Sequence, residues 1–524
     1  MILDKTKNTI RSSIWGLINR VVGLIFPFIT RTFIIYLLGT EYVGLNSLFT
    51  SILSVLSLAE LGFGTAIVYS MYGPIANGDN KKICALMNFY RKIYRVIGLI
   101  VLAIGIILIP FIPVFIKGTV PSDINVYIIY GLYLFNSVLT YWLFSYKICL
   151  LAAYQRNDIL HKVSIVTNLA MYGLQIIFLC SFKNFYLFVA CIPLFSAINN
   201  IVTSIFVSKL FPEYQCKGKI DNSEVAAIKK QVVGLLSQRL AFSSRNAFDS
   251  IIISSFLGLT IVGIYNNYFY ILNALTAILS LIFSSMQGGI GNSIVKESVK
   301  KNYSNFRMIN FMYMWIAGWC SISLLVLMQT FMKIWVGSNL MLPTYIVFLF
   351  AFYFLTMKMT DTTGAYIAGT GIWWNCRYTY LIEALVNLIL NIALGYLWGV
   401  FGVIIATIIS VVFVNYVSNT YILYKKYFVN ENVKDIILDD LYYTVVVIIA
   451  GLLTYIVSSF LPDSEVKSLL VGTLLVKVLL CCILPNIIFY IMYRKNKQFI
   501  ISKEWVLNKF EGKGSKKRVE TKTL

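Results

Sequence analysis

Fourteen runs of about twenty or more mostly apolar residues, separated by short polar connectors, recur from one end of this chain to the other. A hydrocarbon layer about 30 Å thick takes about twenty helical residues to cross, and within it each backbone N–H and C=O must find its partner inside the segment. The runs therefore predict crossing helices at 12–38, 43–72, 94–116, 126–152, 159–181, 185–208, 233–257, 262–293, 308–331, 342–368, 375–398, 401–424, 441–460 and 468–493, numbered below as spans 1 to 14. Soluble domains are excluded, because with 59% hydrophobic and 13% charged residues the chain lacks the polar material to coat them. The expected fold class is all-α and integral to the membrane.

A formal net charge of +22 would suit a nucleic-acid binder, but the placement of the charge argues for a membrane topology instead. With an even number of crossings and both termini on one side, thirty-three of the forty-four Lys and Arg fall on that side, and four (Lys117, Lys183, Lys333 and Lys467) on the other. The positive-inside rule makes the basic side cytoplasmic, so a multi-pass protein with both termini in the cytoplasm is expected, with no nucleic-acid partner. The first apolar run is too long for a signal-peptide core and has no small-residue cleavage site after it, so span 1 is expected to be retained. From Arg494 to Leu524 the tail carries ten basic residues; it reads either as a solvated tail obeying the same rule or as a segment held by anionic headgroups.

The nine cysteines form no CxxC pair, and His161 is the single histidine, which excludes histidine-dependent triads and multi-histidine metal sites. No Walker A sequence is present. The stretch Gly288-Gly289-Ile290-Gly291 lacks a strand–turn–helix context and reads as a glycine-lined helix end. No disulfide, metal, cofactor or catalytic centre is expected.

Sliding the sequence on itself gives one clear match, at an offset of 219 residues. Leu38-Gly39 and Val43-Gly44 fall on Leu257-Gly258 and Val262-Gly263, Arg20 on Arg239, Leu17 on Leu236, Ile34 on Ile253, Ile52-Leu53 on Ile271-Leu272, and Leu56 on Leu275. Apolar coincidences are cheap in such a chain; the glycines and the arginine are not. Six spans separate the copies, so both enter the membrane from the same side, as parallel repeats around a central site do. The expected organisation is an N-lobe at 1–210, a cytoplasmic connector at 211–232, a C-lobe at 233–424, an additional pair of helices at 425–493, and the basic tail at 494–524.

Ionisable groups inside spans cost about 2.5–3.5 kcal/mol each on insertion scales, so each needs a reason. The cations are Arg20, Arg31, Lys147, Arg239, Arg245, Lys358 and Lys477, and the acids are Glu60, Asp249, Asp361 and Glu383. Counted from the turns that follow spans 1 and 7, Arg31 lies at ~12 Å and Asp249 at ~14 Å, level across a central cleft; Arg20 and Glu60, at ~28 and ~24 Å, are placed to pair. Arg245 stands one turn before Asp249 on the same face, and Lys358 precedes Asp361. For any of these cations the plain alternative is snorkelling to the nearest interface or a structural bridge. Glu383, Asn387 and Asn391 recur every four residues and draw one polar stripe, which lines either a cavity or a helix contact.

Three stretches resemble the polysaccharide flippase (Wzx-type) branch of the multidrug/oligosaccharidyl-lipid/polysaccharide exporter superfamily. They are YLLGTEYVGLNSLFTSILSVLSLAELGFGTAI, with Gly39, Gly44, Glu60, Leu61 and Gly62; SYKICLLAAYQRNDI; and LIEALVNLILNIALGYLWGVFGVIIATIIS, with Glu383, Asn387, Gly399, Gly402 and Thr407. In the second, Tyr154 stands where the family usually has Asp, so no role for that acid is carried over. The resemblance implies two six-helix lobes around a V-shaped cavity, and translocation of undecaprenyl-diphosphate-linked oligosaccharide by alternating access in a bacterial cytoplasmic membrane. In the related lipid II flippases two extra helices help form a groove for the lipid tail.

The net-positive set of intramembrane charges suits an anionic lipid-linked saccharide, with Arg31, Arg245 and Lys358 expected to contact it, Arg20 and Arg239 as further cationic candidates, and Asp249, Glu60 or Asp361 left for a coupling proton or sodium or for structural pairing. A lipid II-type flippase is one alternative. A cation-coupled multidrug exporter, the other, would want a dominant acidic site. An intramembrane glycosyltransferase would show a large outer catalytic loop, whereas the loops here are short.

Overall fold

The computed structural model describes residues 5–57, 63–118, 120–462, 464 and 466–510, and within these there is no strand. The helices are α1 (Lys5–Leu37), α2 (Thr40–Leu56), α3 (Phe63–Asn77), α4 (Asn80–Leu108), α5 (Val126–Trp142), α6 (Ser145–Ala153), α7 (Asn157–Phe182), α8 (Phe185–Leu210), α9 (Asn222–Leu257), α10 (Leu259–Lys296), α11 (Val299–Val336), α12 (Thr344–Thr370), α13 (Trp373–Ile409), α14 (Val417–Lys426), α15 (Val433–Ser459), α16 (Lys467–Tyr493) and α17 (Lys497–Phe510). Side chains at the connectors fix many of their starts: Asp79, Asn125, Asn184, Ser298 and Asn432 each accept a hydrogen bond from a backbone N–H of the first turn that follows.

Among the described residues nine helices are long and apolar enough to cross a bilayer, ten if α5 and α6, bent by 54°, make one broken crossing. The break falls at Phe144, whose φ of 57° is left-handed. One of the nine, Trp373–Lys426, is itself interrupted at Gly399 (φ 59°, ψ −135°), between spans 11 and 12, so it holds two crossings. Span 2 is divided between α2 and α3 by residues 58–62, outside those described. Within α9 the stretch Ala247–Leu257 is a shorter apolar helix, and Arg245 and Asp249 stand at its start.

Packing divides the chain into two compact units, one running to Asn266 together with Asn391–Gly399, the other comprising Asn267–Leu390 and the chain from Val400 onward. In the first, α1 lies along α7, α5 packs on α4 and α8, and α9 lies against α2 and α3. In the second, α11 is the central helix, surrounded by α12, α15, α16 and α17. Two thirds of its apolar window is buried, against 17% for α16, which leaves α16 the face that meets lipid.

The fit of α15 and α16 on α11 is close. A Cβ at Gly318 would come within 2.4 Å of Val447, and Trp315 and Trp319 donate their indole N–H groups to Asn486 Oδ1 (2.9 Å) and the Cys481 carbonyl (2.8 Å). Polar groups secure the other end. Arg307 donates to Asp439 through Nε and Nη2 (2.9 and 2.5 Å), while the buried Asp440 accepts from Asn310 (2.6 Å) and Tyr416 (2.5 Å). By sequence Asp440 belongs to the polar connector between spans 12 and 13, whereas the fold encloses it as a buried acid. The expected basic tail also begins differently, since from Lys497 it is a helix seated on α11.

Candidate functional site

The repeated glycines explain the α1–α2 and α9–α10 turns. Gly39 and Gly258 each join two helices at positive φ, 126° and 92°, a region other residues enter only with strain. Five residues after Gly39 the chain makes a second, different use of glycine. A Cβ on Gly44 would stand 2.2 Å from the Leu259 carbonyl oxygen, and one on Gly263 would stand 2.5 Å from that of Thr40. Residues 44 and 263, and 40 and 259, are equivalent under the repeat, so the contact is reciprocal: each copy presses its glycine onto the other's backbone. Thr260 adds a hydrogen bond to Glu41 (2.9 Å), and Lys117 reaches the Phe256 carbonyl (2.6 Å).

Inward of these turns lies a buried polar centre, all of it in the first unit. Asp249 on α9 is 1% exposed and accepts from Tyr265 Oη at Oδ2 (2.9 Å) and from Asn391 Nδ2 at Oδ1 (2.8 Å). Arg245, one turn earlier and 6% exposed, directs Nε to its own helix at the Ala241 carbonyl (3.3 Å). Arg31 on α1 is half-buried and directs Nη2 to the Gly263 carbonyl (3.4 Å). Arg31 and Asp249 therefore both meet the first two turns of α10, at Gly263 and Tyr265. Counted from Gly258, Asp249 and Arg245 lie ~14 and ~20 Å along their helix, around the middle of a bilayer, where transporters place substrate sites.

The other expected residues divide. Lys358 Nζ sits 2.9 Å from Asp361 Oδ2, which also accepts from Tyr313 Oη (2.5 Å), so this is a local ion pair with its lysine buried. Glu383, Asn387 and Asn391 are all fully buried, and the stripe they draw makes helix contacts. Asn415 Nδ2 donates to Glu383 (2.6 Å), and Asn387 Nδ2 to Thr407 (3.0 Å) and Ser410 (3.3 Å), while Asn391 holds Asp249. Ser410 and Asn415 lie in a π-helical turn, Ser410–Tyr416, the irregularity that often marks functional segments. Arg20 is exposed, which suits an interfacial side chain. Glu60 and the side chain of Arg239 lie outside the described residues. Sequence reading missed Tyr265, although it stands almost as far after the Gly258 turn as Asp249 stands before it, and depth counting on both arms would have paired them. No group of three His, Cys, Asp or Glu among the described residues is placed to hold a metal.

No protein-family model and no curated protein matches the sequence. Solved structures do match in fold. A lipid II flippase, MurJ, in an inward closed conformation aligns at a TM-score of 0.64 and 16% identity, over 93% of this chain and 99% of that one. An inward-facing multidrug resistance MATE family transporter of the MOP superfamily aligns at 0.55 and 14%, over 79% and 97%. The chain thus shares its fold with these flippase and transporter structures. Its alignment to MurJ leaves too little of the chain outside to omit α15 and α16 altogether.

Proposed function

We propose that this protein flips undecaprenyl-diphosphate-linked oligosaccharide repeat units across the bacterial cytoplasmic membrane for surface polysaccharide synthesis. What supports this reading is Arg31 on the Gly263 carbonyl, beside the reciprocal glycine contact, with the buried Arg245 one turn from Asp249 on α9. Guanidinium groups are suited to phosphate, giving charge-assisted hydrogen bonds in fixed geometry. In this reading the lobes at 1–210 and 233–424 alternate in access around these arginines, and the contact of Gly44 with Leu259 and of Gly263 with Thr40 closes the outer side. Asp249 takes the coupling proton or sodium, because its protonation would change what Tyr265, Asn391 and Arg245 meet. Lys358 acts through its pairing with Asp361 rather than as a free cation. A drug exporter built on this fold would place a dominant acidic site where this chain places arginine. A lipid II-type substrate is the second reading, favoured by the extent of the likeness to MurJ.

Depletion of the protein in its host is expected to lower surface glycan and to make the diphosphate-linked repeat unit accumulate on the inner leaflet, with re-expression restoring both. Unchanged surface glycan together with arrested peptidoglycan synthesis would transfer the assignment to lipid II.

A further inference from the structure

The helix α17 is turned the opposite way from a helix that stands in water. Three residues separate it from α16, with Asn496 Oδ1 accepting from the Gln498 N–H (2.8 Å), so it is held where a crossing helix leaves the bilayer. Its inward face is partly polar: Gln498 and Ser502 are each 5% exposed, and Phe499 stacks on Trp315 with ring centroids 5.9 Å apart. Its outward residues include Ile500 at 46% exposure and Leu507 at 48%, which stand seven residues apart on one stripe, with the exposed Glu504 between them and Lys497 and Lys503 on either side. An apolar stripe facing water is unfavourable, while the same stripe flanked by lysines at a bilayer edge is how interfacial helices lie. Residues 494–524 carry ten Lys and Arg against three Glu, so the surface they complement is anionic.

We propose that α17, which the basic tail follows in sequence, forms a binding surface for the acidic phospholipids of the cytoplasmic leaflet. Ile500 and Leu507 enter the acyl boundary, while Lys497 and Lys503 meet the headgroup phosphates. Because Phe499 ties this helix to Trp315 at the centre of the second unit, the lipid surface becomes a fixed reference for α11. The inference holds whatever substrate the transporter carries.

The test is hydrogen exchange of residues 497–510 in the full-length protein, reconstituted in nanodiscs of phosphatidylcholine alone or of phosphatidylcholine mixed with phosphatidylglycerol. Exchange in the acidic discs should be slower by about tenfold or more, and high salt should remove the difference. A variant with Lys497, Lys503, Lys513, Lys516 and Lys517 all changed to Gln keeps every contact of Phe499 and should exchange alike in both discs. Equal protection of the wild type in neutral and acidic discs would overturn the proposal, leaving packing on α11 or a protein partner as the occupant of that face.

Discussion

Gly44→Leu is expected to abolish transport while the protein still folds and inserts, and to leave it trapped with the α1–α2 and α9–α10 turns apart. The Cβ of any residue at 44 would sit 2.2 Å from the Leu259 carbonyl oxygen, and no rotamer relieves an overlap between a Cβ and backbone. Overpacking of this kind costs about 1–3 kcal/mol or more, and at about 1.4 kcal/mol per tenfold it shifts the balance between closed and open turns by roughly tenfold to a hundredfold. The repeat predicts that Gly263→Leu does the same, because its Cβ would meet the Thr40 carbonyl at 2.5 Å. The measurement is labelling of a cysteine introduced at Thr260 by an impermeant maleimide, in a background lacking the exposed Cys180 and Cys482. Both variants should label much faster than the parent. Gly289→Leu, whose Cβ would meet nothing within 4 Å, is the control and should label as the parent does. Unchanged labelling in Gly44→Leu would mean that the turns do not separate during transport.

Arg31→Ala and Arg245→Ala should each abolish glycan export at unchanged protein level. A hydrogen bond to a charged partner is worth about 1.5–3 kcal/mol, so losing one contact to diphosphate weakens binding roughly tenfold to a hundredfold. Insertion predicts the opposite sign: removing an arginine from a crossing helix relieves about 2.5–3.5 kcal/mol on insertion scales, so the alanine variants should insert at least as well as the parent. Lysine at either position keeps the charge and loses the planar fork, and should recover only part of the activity. Surface glycan measured beside membrane-inserted protein separates these outcomes. Full export by the alanine variants would return both arginines to a structural role.

Much of this structure was legible in the chain. Apolar runs marked the helices long enough to cross, nine or ten of them among the described residues, and of the glycines that marked the repeat, Gly44 and Gly263 are the two through which the copies meet. What escaped depended on side chains reaching between helices. The stripe at Glu383, Asn387 and Asn391 could not be assigned to cavity or contact by spacing, because Asn415 and Ser410 arrive through a π-helical turn that shifts their register. Asp440 looked like part of a polar connector because it follows Asp435 and Asp439, and only α11 and the Tyr416 turn show that it is enclosed. The basic composition of the tail left open whether it is solvated or held by anionic headgroups, and gave no sign that its start packs on α11 through Gln498, Phe499 and Ser502, three residues without charge.

The central claim is that this chain moves a lipid-linked anionic saccharide, and reconstitution tests it most directly. Purified protein in vesicles carrying undecaprenyl-diphosphate oligosaccharide should expose inner-leaflet substrate to an impermeant glycosidase, at a rate that depends on Arg31 and Arg245. Vesicles that never expose it under any imposed proton or sodium gradient, while the same protein exports an organic cation, would contradict the claim and make the protein a drug exporter built on this fold.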